Sequence, residues 1–209
     1  MDYALFGSLV GFAFIASITP GPNNLLLMSS GALFGWRPTL PHLGGVQIGF
    51  AIVMTSAVFG LGKLVDAWPW LVTLIRVLGA AWLAWLSLRF FKAAVRDADT
   101  EARMEAAPIS RPIRFYEAVL FQWVNPKAIV AAVSTAGAYI AIADEAWQRA
   151  IVMVSVFFTV GGVACTTWMI AGETLSRYMS SGRSATWVNA AMGVLILLTA
   201  AHILLSRSS

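Results

Sequence analysis

The strongest constraint in this chain is a set of long apolar runs without a charged residue: Leu43–Gly62, Ala150–Gly172 and Ser184–Ser206. A helix rising about 1.5 Å per residue crosses a hydrocarbon core about 30 Å thick in about 20 residues, so each run is long enough to span with some tilt. Two more runs carry one cation apiece, Arg76 in Ala67–Leu88 and Lys127 in Ala118–Ala143. The first apolar stretch, Ala4–Ile18, is short for a span. It resumes as LLLMSSGALFGW after the break TPGPNN and so reads as one interrupted helix. Composition agrees: 59% of residues are hydrophobic and 11% charged, against roughly 45–50% and about 25% in soluble domains. With 14 Lys+Arg and 10 Asp+Glu, the chain cannot clothe a water-facing shell, which excludes a soluble domain and makes the bilayer its solvent. The chain therefore reads as an all-α membrane protein, one domain over 1–209, with six transmembrane helices of which the first and fourth are broken. A cleaved signal peptide is the rival for the first stretch, but the start MDYALF lacks a positive n-region.

The formal charge of +4 fits membrane topology better than a nucleic-acid partner, because the basic residues gather beside apolar runs. Arg37, Arg89, Lys92, Arg96, Arg103, Arg111, Arg114, Arg177 and Arg183 flank one set of connections, and Lys63, Arg149 and Arg207 the other. The positive-inside bias places the connection Phe91–Arg114 in the cytoplasm and both termini in the periplasm. That connection, with Asp97, Asp99, Glu101, Glu105, Pro108 and Pro112, also divides the chain. Repeat one covers about 1–91, the connection about 92–114 and repeat two about 115–209. Laying Thr19–Pro20 on Asn125–Pro126 lays Gly31 on Gly137, and Gly79 in the third crossing answers Gly193 in the sixth. Related halves of three crossings must insert with opposite orientation. That is the inverted repeat of many secondary transporters, whose site lies where the repeats meet.

Pro20 and Pro22 remove two backbone donors around Gly21, and Pro126 removes one in the fourth crossing, so helical hydrogen bonding fails at both places. Freed backbone groups cost several kcal/mol each in hydrocarbon and persist only where protein or a water-filled cavity satisfies them. Asn23 and Asn24 at the first break and Asn125 at the second supply amide donors and acceptors. Two kinked, packed helices would also account for the prolines. Against that stand the corresponding places of the breaks and the asparagine at each.

Lys127 is the costliest residue, at about 2.5–3.5 kcal/mol for a lysine at the helix centre. No acidic residue lies inside a crossing: Asp66, Asp144 and Glu145 fall in connections, and Glu117 and Glu173 near span ends. The expected counter-ion is therefore a ligand. A carboxylate would pair with Lys127 and with amide donors at a broken helix terminus, while asparagine oxygens and freed carbonyls receive an ammonium. An amino acid carries both groups. The alternatives are a lysine that snorkels into water or a neutral amine in a tight bundle.

Gln47 serves either an interhelical hydrogen bond or ligand contact, and Arg76 either turns toward the path or snorkels outward. Gly44, Gly45 and Gly49 on the second crossing, and Gly161 with Gly162 on the fifth, suit close helix packing and permit a homodimer. His42 at a membrane boundary and His202 near the end of the last span make no metal site. Cys165 alone makes neither a disulfide nor a thiolate cage. No metal or cofactor is expected. Trp68, Trp70 and Trp147 belong to the interfacial belt.

At TPGPNN, GWR and PHLGG, and at FQWVNPKA in the fourth crossing, the chain resembles the LysE/RhtB family of bacterial amino-acid exporters along its whole length. SITPGPNNLLLMSSG and TLPHLGG resemble its cysteine and O-acetylserine exporter branch. The resemblance implies an inner-membrane protein of about six hydrophobic segments that exports amino acids or related metabolites, coupled to proton movement. It carries family positions onto Pro20, Gly21, Pro22, Asn23, Asn24, Asn125, Pro126 and Lys127. Where relatives carry a tyrosine-bearing GAxYL segment, this chain has GAAWLAWL with Trp82, which leaves pocket polarity and cargo size open.

The resulting expectation is an exporter of small zwitterionic amino acids working by alternating access, with Lys127 as the titrating candidate for proton coupling. A cation or metal transporter on a related scaffold would need acidic, histidine or cysteine ligands inside the crossings. An intramembrane enzyme would need an activated nucleophile, and no serine–histidine or paired-carboxylate arrangement lies at membrane depth. A non-transporting assembly partner is the remaining rival.

Overall fold

The computed structural model describes residues 3–61, 67–68, 70–96, 111–178 and 183–205, and the regular elements among them are helical. They are α1 Tyr3–Ile18, α2 Pro22–Phe34, α3 Trp36–Ser56, α4 Trp70–Arg96, α5 Phe115–Phe121, α6 Pro126–Ala138, α7 Ala146–Tyr178 and α8 Arg183–Leu205. A π-turn over Ala57–Leu61 prolongs α3, and 3₁₀ turns over Gln122–Val124 and Ile140–Ile142 follow α5 and α6. Among the described residues, Trp36–Gly60 and Ala146–Ser176 are long and apolar enough to cross a membrane. Helices α1 and α2, bent by 54°, qualify together. The other expected crossings are also helical: α4, the pair α5–α6 and α8. Residues 97–110 of the expected connection, which hold its acidic residues, Arg103 and Pro108, and also Lys63, Asp66 and Arg207, lie outside the described residues. So do the side chains of Arg76, Arg177, Arg183 and His202.

Several helices outrun their apolar runs. Helix α3 begins at Trp36 rather than Leu43: Pro38 falls in its first turn, where it breaks no helical bond, although Pro41 is retained inside. Helix α4 continues past Leu88 through Arg89 and Lys92 to Arg96. Arginine and lysine are good helix formers, so hydropathy marks the lipid-suited part and the helix runs on beyond it.

The two breaks resemble one another in a register different from that expected. Pro22 and Pro126 each start a helix of 13 residues, after Gly21 and Asn125 respectively. Proline suits this first position because its missing N–H has no partner there in any case. Pro22 therefore corresponds to Pro126, whereas Pro20 stands ahead of the helix start.

Glycines set the helix spacing. A Cβ on Gly31 of α2 would overlap the Met169 carbonyl of α7, and one on Gly172 of α7 would overlap the Met28 carbonyl of α2. The two backbones therefore touch reciprocally. Gly45 and Gly49 of α3 receive α5 in the expected way, at Phe115–Ala118 and at Val119–Gln122. Gly161 and Gly162 do otherwise and accommodate side chains: a Cβ on Gly161 would lie 3.4 Å from Ser17 Oγ, and one on Gly162 3.0 Å from Gln47 Nε2. Gly35, at φ +79°, turns α2 into α3 in a conformation that favours glycine. The Trp36 N–H that opens α3 donates to the Glu173 carboxylate of α7 at 3.1 Å.

Apolar packing falls on both sides of the breaks. One buried cluster joins Leu9 and Ala13 of α1 with Ile129 and Ala132 of α6 and Met153 and Phe157 of α7. Another joins Leu27 of α2, Val46 of α3, Ala118 of α5 and Met169 of α7. A third ties α4 and α8 to α2 through Leu26, Leu83, Phe90 and Ile196, and the Ser87 hydroxyl donates to the Gly193 carbonyl at 2.8 Å.

Glu117 fixes the start of α5, accepting from the Arg114 N–H at 2.9 Å and from both Arg111 guanidinium ends at 2.8 and 2.6 Å. Arg111 holds the carboxyl down at about 2, opposed by partial burial and aided by the Arg114 N–H. A depressed carboxyl pKa stabilises the fold above the ordinary value near 4.5 and loses that contribution as pH falls toward 2. Thermal unfolding in detergent should show a loss of stability across that window which Glu117→Gln flattens. In the same assay Gly172→Ala should destabilise by about 1–3 kcal/mol through overpacking. Gly137→Ala, which meets nothing within 4 Å, should be neutral or stabilising by up to about 1 kcal/mol.

Candidate functional site

The last carbonyls of a helix have no partner within it and carry partial negative charge. At the end of α1 side chains from elsewhere meet them. Asn24 Nδ2, from the first turn of α2, donates to the carbonyls of Ser17 at 2.8 Å and Thr19 at 2.9 Å. Trp168 Nε1 of α7 donates to the Ile18 carbonyl at 3.2 Å. Lys127 Nζ, from the second break, donates to the Thr19 carbonyl at 2.5 Å and to that of Pro20 at 3.5 Å. An ammonium at a helix C-terminus is favourably placed against the dipole. The lysine that lacks an acidic partner in sequence is thus held by backbone carbonyls.

Gly21 makes this reach possible. A Cβ there would lie 2.8 Å from Lys127 Cδ and 3.0 Å from its Nζ. At the second break Asn125 caps α6, its side-chain oxygen accepting the Lys127 backbone N–H at 3.2 Å. A further link joins the breaks: Asn23 Nδ2 donates to Gln122 Oε1 at 2.8 Å, and Gln122 Nε2 donates back to Asn23 Oδ1 at 3.1 Å. Gln122 is fully buried and also donates to the Ala118 carbonyl at 3.0 Å. The two breaks therefore touch through one ammonium and one amide pair.

A cavity of about 70 Å³ lies at this junction, with Asn23, Asn24, Gln47, Asn125 and Lys127 all in its lining beside Gly21. The five side chains expected at a ligand site come to one place. Pro20, Pro22 and Pro126 shape the breaks from outside the lining. Phe157 belongs both to the lining and to the first apolar cluster, and Val46 and Cys165 both to the lining and to the second. Two apolar clusters thus adjoin the cavity. Its volume suits roughly two waters, less than an amino acid needs, so cargo entry requires it to widen. Among the described residues Lys127 is the only charged group in the lining, and no group of three or more His, Cys, Asp and Glu is placed to hold a metal.

Gln47 makes the expected interhelical hydrogen bond, donating from Nε2 to the Phe158 carbonyl of α7 at 2.7 Å, and also lines the cavity. His42 is buried among the helices, with Nδ1 unpartnered. Gln122 and Trp168 were not singled out by sequence. Gln122 could have been found as the polar residue one turn before Pro126 in FQWVNPKA. Trp168, an indole in the middle of an apolar run, carries no such signal. Trp82, where relatives carry tyrosine, packs its ring against Phe121 with centroids 4.6 Å apart.

Residues 14–207 match the family described as LysE type translocator. Among curated proteins the chain is 26% identical to a cysteine/O-acetylserine efflux protein of Escherichia coli (strain K12), over 97% of this chain and 99% of that one. It is also 26% identical to a cysteine/O-acetylserine efflux protein of Klebsiella pneumoniae, over 92% and 94%. A Vibrio cholerae protein named as an uncharacterized membrane protein is 27% identical over 94% and 95%. No solved structure matches.

The amide pair supplies a direct test. Leucine at position 23 or 122 alone strands a buried amide and should cost about 1–3 kcal/mol, whereas leucine at both should cost less than the sum. A double-mutant cycle by thermal unfolding reads the difference.

Proposed function

Because this chain belongs to the LysE type translocator family, we propose that it is a secondary exporter of small neutral amino acids or close metabolites, of the size of cysteine or O-acetylserine, across the bacterial inner membrane. Its homologues are efflux transporters, not enzymes. In this proposal six crossings form two inverted three-helix repeats, with both termini periplasmic and the basic connection cytoplasmic. The observation that carries it is the reach of Lys127 from one broken helix to the other at a cavity flanked by two apolar clusters.

The cargo carboxylate would lie against Lys127 and the amide-rich first turns of α2 and α6, whose N-termini favour negative charge. Asn23, Asn24, Asn125 and Gln47 would orient it. Loosening the seal at Leu9, Met153 and Phe157 opens the cavity to one face, and loosening that at Leu27, Val46 and Met169 opens it to the other. Alternating between them moves cargo without an open pore. Proton coupling fits Lys127, the one charged group in the lining.

Counterflow of labelled neutral amino acids in proteoliposomes tests the proposal. Wild-type protein should exchange at least one of them. Lys127→Met should assemble normally yet exchange about ten- to a hundredfold more slowly, because a charge-assisted hydrogen bond contributes about 1.5–3 kcal/mol. No exchange by wild type across a broad panel, or wild-type rates in Lys127→Met, would contradict it.

A further inference from the structure

The cation acceptors at the end of α1, beside the cavity, are filled by the protein itself. The Thr19 and Pro20 carbonyls lie at the negative end of α1, and, beside the Asn24 amide that also donates to Thr19, the Lys127 ammonium donates to both. No carboxylate shares the cavity with it. If a carboxylate draws Lys127 toward the α2 and α6 termini, both carbonyls lose their charged donor, and Thr19 keeps the Asn24 amide alone. If an amine takes the carbonyls instead, Lys127 is left without a partner and faces a like charge.

We propose that Lys127 occupies, in the unloaded protein, the position of the cargo's own α-ammonium, so that loading is a displacement in which the cargo's ammonium takes the Thr19 and Pro20 carbonyls while its carboxylate takes Lys127. The inference rests on the amino-acid reading above. Its consequence is selectivity without a dedicated excluding residue. A zwitterion replaces every contact it breaks, whereas a simple amine or a simple carboxylate replaces only half of them. The same swap keeps the unloaded breaks latched together, since the ammonium bridges them until a zwitterion arrives. Gly21 is a positioning residue in this scheme: its missing side chain leaves the corridor along which Lys127 Cδ and Nζ lie.

The two halves of a small amino acid, propylammonium and propionate, separate the contributions when titrated calorimetrically into the purified full-length protein in nanodiscs. Lys127→Met should bind propylammonium at least about tenfold more tightly than wild type and propionate at least about tenfold more weakly, the size of one charge-assisted contact. Gly21→Ala, which crowds Lys127 without removing it, should gain affinity for propylammonium in the same direction. It supplies the test if Lys127→Met proves not to be monodisperse. Equal propylammonium affinity in wild type and in whichever of these variants is folded would overturn the inference. Wild-type counterflow of labelled alanine, measured alongside, keeps the two ideas apart. Exchange without the propylammonium gain removes the displacement and leaves the exporter. Absence of exchange across all neutral amino acids removes the exporter, whatever propylammonium does.

Discussion

An unwound stretch of backbone in a membrane protein must find its hydrogen bonds somewhere, and everything else in this structure depends on how that is met at the end of α1. Prolines at 20 and 22 and a glycine between them prevent the helix from continuing, which leaves a row of carbonyls. Their donors come from α2, from α7 and from the second break: Asn24, Trp168 and Lys127. The first break is thus completed by the second. Neither would be stable at that depth alone, because freed peptide groups and a lone ammonium are each costly in hydrocarbon. Together they offset one another and leave a small chamber where polar side chains meet an apolar lining.

Close backbone contacts hold this arrangement. The reciprocal approach of Gly31 to Met169 and of Gly172 to Met28 brings α2 against α7, the helix that also carries Trp168 and Cys165 to the chamber. Gly45 and Gly49 let α5 lie on α3, which delivers Gln122 to Asn23. Without a hydrophobic driving force between helices in lipid, such contacts and interhelical hydrogen bonds supply the specificity.

Much of this was legible in the sequence because membrane helices are bounded by simple rules. Broken apolar runs, asparagines beside prolines and an unpaired lysine led to Asn23, Asn24, Asn125, Lys127 and Gln47, and these share one cavity. Helix ends were less legible: α4 and α7 run on through residues that hydropathy excludes but helix propensity accepts. The register between the halves was also misread. Three prolines compete for two correspondences, and only the position of each within its helix tells them apart. The partner of Lys127 could not be read at all. Backbone carbonyls leave no mark in a sequence, so the absence of a carboxylate pointed to a ligand, although the unloaded protein supplies its own acceptors.

The central claim is that the chamber between the two breaks is where cargo sits, and Cys165, the chain's single cysteine, lines it. The most direct measurement is the rate at which methyl methanethiosulfonate modifies Cys165 in reconstituted wild-type protein, with and without a saturating amino acid that the protein exchanges. Cargo in the chamber predicts clear slowing of the modification, reversed on washing the amino acid out. A modification rate unchanged by saturating cargo would place the transport site elsewhere and contradict the account.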